Sequence, residues 1–191
     1  MIWGVILAAG ESKRMGEPKQ LLPFGTSTVI ETVIDNVLRS SAEKTLVVLG
    51  AGHKRVRAVI KKFPVDITVN PHFQRGMLSS VQLGIRRLPG DARAALIFLG
   101  DQPWIATKTV DSVIDAYKTT GKGLVLPWYK NAGGHPLLID LKYRDAIARL
   151  NPDKGLRELL SLYPEDITRV RIENPDILRD LDTPEDYKGS T

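Results

Sequence analysis

Met1-Ile2-Trp3-Gly4-Val5-Ile6-Leu7-Ala8-Ala9-Gly10 opens the chain, and its reading decides the fold. Residues 2–8 are continuously apolar and stop at Ala9-Gly10, as a strand covered on both faces of a parallel sheet does. Downstream the period changes. Val29/Ile30, Val33/Ile34 and Val37/Leu38 recur every four residues and draw one stripe of a helix over 28–39. Thr28 and Glu31 stand at capping-box spacing at its start. Residues 45–50 read as a second strand and 54–62 as a helix. A third strand, 66–70, is closed by Asn70-Pro71, and 77–88 is helical. A fourth strand, 94–99, is stopped by Gly100-Asp101-Gln102-Pro103, and 108–117 is helical. Further strands are expected at 123–126, 136–139 and 167–172. Short helices are expected at 143–150, 155–163 and from 184. This alternation predicts an α/β fold: a mostly parallel central sheet with helices on both faces. Right-handed crossovers then gather the strand C-terminal ends on one edge, where ligands bind. No repeat, low-complexity tract or linker divides residues 1–191, so a single domain is expected. The block at about 127–164 interrupts the alternation and reads as an insertion that builds part of a substrate site.

Composition narrows the function classes. A chain of 191 residues can bury one sizeable core. Lys and Arg number 27 against 22 Asp and Glu, a net +5 that suits an anionic ligand. The few aromatics are scattered and no basic stripe runs along the sequence, so nucleic acid is not the expected partner. Cysteine is absent, which excludes disulfides, thiolate metal sites, iron–sulfur clusters and cysteine nucleophiles. No apolar run approaches the roughly 20 residues that cross a bilayer, and the N-terminus lacks the basic region of a signal peptide. A soluble cytoplasmic protein with no membrane partner is expected.

The chemistry concentrates just after the first strand, in Leu7-Ala8-Ala9-Gly10-Glu11-Ser12-Lys13-Arg14-Met15-Gly16-Glu17-Pro18-Lys19. Glycines let backbone N–H groups come close to a phosphate. Lys13, Arg14 and Lys19 supply point charges and a planar fork for its oxygens. The bland alternative is a solvated basic loop. The stretch is not a P-loop, because five residues separate Gly10 from Gly16 and Glu17 follows. Gly50-Ala51-Gly52 mimics a dinucleotide fingerprint, but Arg55 occupies the place of a small packing residue, so an ordinary turn into a helix is expected. Ser79-Ser80 opens a helix without a His/Asp relay, which argues against a hydrolase triad. His135, in Gly133-Gly134-His135-Pro136, either contacts an anionic substrate or is held structurally by backbone. His53 and His72 have no company that suggests metal ligation.

The pattern Leu-Ala-Ala-Gly, then Arg14-Met15-Gly16 and Lys19, resembles the nucleotidyltransferases of the molybdopterin group, and within the MobA-like NTP transferase superfamily the MocA-like molybdenum cofactor cytidylyltransferases. The resemblance continues through Arg75-Gly76-Met77 to Ile85, Gly100-Asp101-Gln102-Pro103, Gly134-His135-Pro136, Asp153-Lys154-Gly155-Leu156-Arg157 and Asp180-Leu181-Asp182-Thr183-Pro184. It implies a Rossmann-like nucleotidyltransferase fold. It places Leu7, Ala8, Ala9, Gly10, Gly16, Lys19, Ser80 and Asp101 around the nucleotide, with Lys19, Arg14 and Asp101 as the catalytic groups. A carboxylate beside a triphosphate needs a cation between them, and Mg²⁺ fits that need. The implied ligands are Asp101 and, on the same side of an extended segment, Asp180 ahead of Asp182. Asp101 can instead cap its turn, and Asp182 can cap the helix at Pro184. Ser80 is placed against the base and His135 on the acceptor side. The implied reaction moves CMP from CTP onto molybdopterin and releases pyrophosphate. Ala9, where the guanylyl-transferring branch carries glycine, points to CTP over GTP. Rival readings keep the chemistry with a sugar or polyol phosphate as acceptor, or make the chain a cofactor chaperone for a molybdenum hydroxylase apo-enzyme.

Overall fold

The computed structural model describes residues 1–12 and 16–188, apart from the side chains of Pro184 and Lys188. Strand β1 (Ile2–Ala8) lies inside the sheet, and each of its residues is buried. It is followed by a two-residue hairpin, β2 (Pro23–Phe24) and β3 (Ser27–Thr28), then α1 (Val29–Leu38), β4 (Lys44–Leu49), α2 (His53–Ile60), β5 (Asp66–Val69) and α3 (Met77–Arg87). The chain continues through β6 (Ala94–Leu99), α4 (Thr107–Thr120), β7 (Leu124–Tyr129), β8 (Ala132–Gly133), β9 (Leu137–Asp140), α5 (Arg144–Ala148), α6 (Leu156–Leu162), β10 (Ile167–Arg171) and α7 (Pro184–Lys188). The sheet order is β10-β7-β9-β6-β1-β4-β5, with β8 paired to β7. Along that path β9 alone runs against the rest, between β6 and β7. The expected mostly parallel α/β sheet is therefore the observed one.

Side-chain alternation along β1 divides the core. Ile2, Ile6 and Ala8 join Ile30, Val33, Ile34 and Val37 of α1, together with the apolar faces of α2 and α4. Trp3, Val5 and Leu7 face the opposite way, onto Leu78, Val81 and Ile85 of α3 and onto Ile147 and Leu159 of the short C-terminal helices. Gly4 sits between these layers because α1 presses on β1. A Cβ there would stand 2.6 Å from Val37 Cγ1.

Two features escaped the sequence reading. The β2–β3 hairpin is too short to show a period. Strand β7 runs on to Tyr129, beyond the expected end at 126, so residue 127 lies within a strand. Lys130-Asn131 then turns the chain back, with Lys130 at φ 51, and the return through β8 leads into antiparallel β9. Gly134 passes hard against the backbone carbonyl of Ile177, and a Cβ could not be accommodated there.

The α1 N-terminus is capped as its sequence requires. Glu31 N donates to Thr28 Oγ1, and Thr28 N donates to Glu31 Oε2 at 2.8 Å. Lys62 Nζ lies 2.6 Å from Glu31 Oε1. Burial alone would raise the Glu31 carboxyl, but the bonds from Lys62 and Thr28 hold it below its usual value. Its stabilising contribution is therefore full above the unfolded-state value of about 4.3 and drains away as pH falls through the lower folded value. Thr28→Ala should cost about 1 kcal/mol in denaturant titrations. Glu31→Gln should lower the melting temperature at pH 7, and the gap to wild type should narrow toward pH 3; a constant gap would contradict the assignment.

Candidate functional site

The strand order turns at β1. From β1 the chain builds outward through β4 and β5 on one side and starts β6 on the other. At such a switch point the connections diverge and leave a crevice beyond the strand C-termini. A cleft of about 370 Å³ lies there, lined by Leu7, Ala9, Gly10, Lys19, Ser80, Leu99 and Asp101, with Phe73, Gln74, Gly76 and Met77 across from them. Six of the residues assigned to the nucleotide by sequence thus meet in one cleft: Leu7, Ala9, Gly10, Lys19, Ser80 and Asp101. Ala8 is placed differently. Alternation along β1 turns its side chain onto the α1 face, 1% exposed, so it lies under the cleft and does not line it. Gly16 is exposed at φ 72 and is not among the lining residues. Arg14 lies outside the described residues.

Lys19 is the centre of the charge pattern. Its Nζ ion-pairs with Asp101 at the end of β6 and with Asp182 Oδ1 at 2.9 Å. Burial would lower the Lys19 pKa, but the two carboxylates outweigh it and hold the value above that of an ordinary lysine. The ammonium is therefore charged at neutral pH. Its backbone is placed by Ser12, whose Oγ accepts Lys19 N at 3.1 Å.

The C-terminal tail is brought back to this edge by packing. Leu181, fully buried, joins Leu22 and Val29, and its N donates to Asp101 O at 3.3 Å. Arg179 stacks on Trp104, 3.9 Å from the ring centroid. Asp180 and Asp182 flank Leu181. The capping role weighed for Asp182 falls elsewhere: Asp186 Oδ2 accepts from Thr183 N at 2.8 Å, and Thr183 Oγ1 accepts from Asp186 N at 3.2 Å. Asp180 Oδ1 accepts Gln102 Nε2 at 2.7 Å. Burial raises the Asp180 pKa, and the negative charges of Asp101 and Asp182 raise it further. Two carboxylates thus hold one ammonium and a third, Asp180, feels the charge of both; among the described residues Gln102 Oε1 is buried without a hydrogen-bond partner. Among the described residues no three acidic or imidazole groups form a ready-made metal cage. Hard oxygen donors that repel one another suit a divalent cation completed by phosphate oxygens, since Mg²⁺ takes one or two carboxylates in such sites.

A second cleft, about 620 Å³, shares Met77 with the first and is lined by Trp128, Gly133, Gly134, His135, Asp153, Lys154 and Arg157 among others. Met77 itself is 55% exposed between the two. The motif at 153–157, which carried no assigned role in the sequence, contributes its cations here. His135 is held by backbone, as one of its two readings expects. Its Nδ1 bonds Ile97 O at 3.1 Å, and the ring lines the cleft. Burial pushes its pKa down, against the raising influence of Ile97 O, Asp180 and Asp101. A neutral ring bonding a carbonyl through Nδ1–H offers Nε2 as an acceptor, and the cations of this cleft are Lys154 and Arg157.

Sequence reading also missed Asn70, Gln102 and Gln20. Each is a polar side chain at 3% exposure or less, and each holds a group of the site. Only their places at or just beyond strand and loop ends hinted at this.

Residues 4–169 match the MobA-like NTP transferase domain family. The molybdenum cofactor cytidylyltransferase of Escherichia coli is 30% identical, over 96% of this chain and 92% of that protein. Nicotine blue oxidoreductase of Paenarthrobacter nicotinovorans is 32% identical, over 96% and 93%. The crystal structure of Rv0371c from Mycobacterium tuberculosis superposes with a TM-score of 0.88 at 30% identity, covering 98% of this chain and 95% of that one, and the same protein has been solved as a manganese complex. A family match over most of the sheet, on a fold whose crevice gathers these groups, makes the chain a member of the MobA-like NTP transferase family and its activity nucleotidyl transfer.

Proposed function

We propose that this chain transfers CMP from CTP to the terminal phosphate of molybdopterin. The observation that carries the reading is the Lys19 ammonium, held by Asp101 and Asp182 at the mouth of the β1/β6 cleft. A phosphate oxygen of the acceptor attacks the α-phosphorus in line, the bond to the β-phosphate breaks, and pyrophosphate leaves. A phosphate dianion is already nucleophilic, so positioning and charge neutralisation suffice. Lys19 neutralises charge on the α-phosphate, Gly10 leaves its backbone open to the phosphates, and Arg14 adds a fork. Asp101 and Asp180 hold Mg²⁺, while Asp182 steers Lys19. The metal, when bound, screens the repulsion between triphosphate and carboxylates.

The acceptor lies in the second cleft, on the 127–164 segment. Lys154 and Arg157 attract its phosphate, and Met77 marks the boundary where the two substrates meet. CTP is favoured because Ala9 lines the nucleotide cleft. That wall is backed by Gly50, just beyond β4: a Cβ on Gly50 would lie 2.5 Å from Ala9 O and 2.8 Å from Ala9 Cβ. A wall packed this closely resists widening for a two-ring base. The E. coli relative's name agrees with this choice of nucleotide and acceptor. No helix among the described residues is long and apolar enough to cross a membrane, in keeping with a cytoplasmic place.

The decisive experiment is a pyrophosphate-release screen of the four nucleotides with Mg²⁺ against molybdopterin and sugar and polyol phosphates. Release only with a sugar or polyol phosphate would replace the acceptor. Lys19→Ala should reduce turnover by on the order of 3 kcal/mol in transition-state terms while still melting cooperatively; near wild-type turnover would remove Lys19 from the chemistry. Asp101→Asn should abolish metal-dependent turnover, and calorimetry should show Asp180→Asn weakening Mg²⁺ binding more than Asp182→Asn. Ala9→Gly should shift the CTP/GTP ratio of kcat/KM toward GTP by about 1–3 kcal/mol, and an unchanged ratio would refute the wall argument.

A further inference from the structure

Asn70 is 2% exposed at the end of β5, and its amide binds three groups at once. Oδ1 accepts the backbone N–H of His72 at 2.9 Å. A backbone N–H can only donate, so the orientation of the amide is fixed and Nδ2 faces the other way. Nδ2 donates to Ser79 Oγ and to Ser80 Oγ, each at 2.9 Å. The two hydroxyls differ in what remains to them. Ser79 Oγ donates to the carbonyls of Gly76, at 2.8 Å, and His72, at 3.1 Å, so it is spent within the loop that starts α3. Ser80 is 3% exposed and lines the nucleotide cleft. Its oxygen receives the Asn70 proton, and among the described residues no acceptor takes its own. A buried hydroxyl proton without a partner is costly, and the open side of Ser80 is the cleft.

We propose that Asn70 is a positioning residue: by donating to Ser80 Oγ it turns the Ser80 hydroxyl into an obligate donor toward the nucleotide, which must then meet an acceptor on the base. In cytosine those acceptors are O2 and N3. This rests on the cytidylyl reading above and adds to it the polarity of the base contact and the residue that sets it. Asn70 reaches the nucleotide only through Ser80, and the same amide locks the His72–Ser79 turn, so base reading and the α3 N-terminus share one anchor.

The test compares CTP with two analogues, 2-thio-CTP, in which a poor acceptor replaces O2, and 3-deaza-CTP, in which C–H replaces N3. Wild type should lose about tenfold or more in kcat/KM on one of them, the worth of a hydrogen bond to a buried donor. Ser80→Ala should level that difference. Asn70→Asp keeps the size of the side chain and can still accept His72 N–H, but its carboxylate accepts from Ser80 and turns the hydroxyl inward. It should raise KM for CTP by more than it lowers kcat, and should erase the analogue difference. Asn70→Ala should do the same, and Asn70→Asp serves if Asn70→Ala does not melt cooperatively. Equal use of all three nucleotides by wild type, or full discrimination retained in folded Asn70→Asp, would overturn the proposal. Rejection of CTP by wild type would instead overturn the cytidylyl reading and the base contact with it. A CTP-using enzyme whose discrimination survives Asn70→Asp loses only the role given to Asn70.

Discussion

The structure depends on one constraint: β1 is covered on every side. β4 and β6 hydrogen-bond to its two edges, α1 and α3 close its two faces, and its C-terminal end opens onto the cleft. Gly4 lets α1 approach the strand, and Gly84 does the same for α3 on the other face, where a Cβ would stand 2.8 Å from Val5 Cγ1. Burial of this kind stabilises through close packing as well as through apolar area. Ala9 and Gly10, just past that end, line the cleft.

The polar groups of the crevice gather at that end. Lys19 pairs with a residue 163 positions away in sequence, and this pair, with Asp101, ties the first loop, the end of β6 and the C-terminal tail into one cluster. Burial raises the pKa of Asp180, and the negative charges of Asp101 and Asp182 raise it further. A site poised in this way gains from any added positive charge, and a divalent cation arriving with a nucleotide supplies it. Apolar packing of Leu181 and the Arg179–Trp104 stack hold the tail in place, so the acidic residues need not attract each other to be there.

The two clefts differ in chemistry. The first is smaller and carries Lys19, Asp101 and the Ser80 hydroxyl; the second is larger, lined by an indole, a histidine, Asp153 and two cations. Met77 stands exposed between them because a residue at that boundary has no core to enter. His135 shows how place overrides residue type. An imidazole in a glycine-rich turn suggests an anion contact, yet burial favours its neutral form against the raising influence of Ile97 O, Asp180 and Asp101.

The sequence by itself determined the longer elements and their order, though not the short β2–β3 hairpin or β8. Continuous apolar runs at residues 2–8 and 94–99, four-residue stripes and the Thr28/Glu31 box are local signals, and local geometry decides them. It also pointed to Lys19, Asp101, Ser80 and the Asp180–Asp182 pair, because a short motif and its spacing carry the residue types that phosphate chemistry needs. Tertiary structure alone decided what those residues touch. That β9 runs antiparallel between β6 and β7, that Ala8 turns away from the cleft, that Thr183 rather than Asp182 caps the last helix, and that Asn70 orients Ser80 all depend on contacts between distant segments. A hydrogen bond from a buried amide leaves no period or composition in the sequence. It exists only once packing has brought its partners within 3 Å.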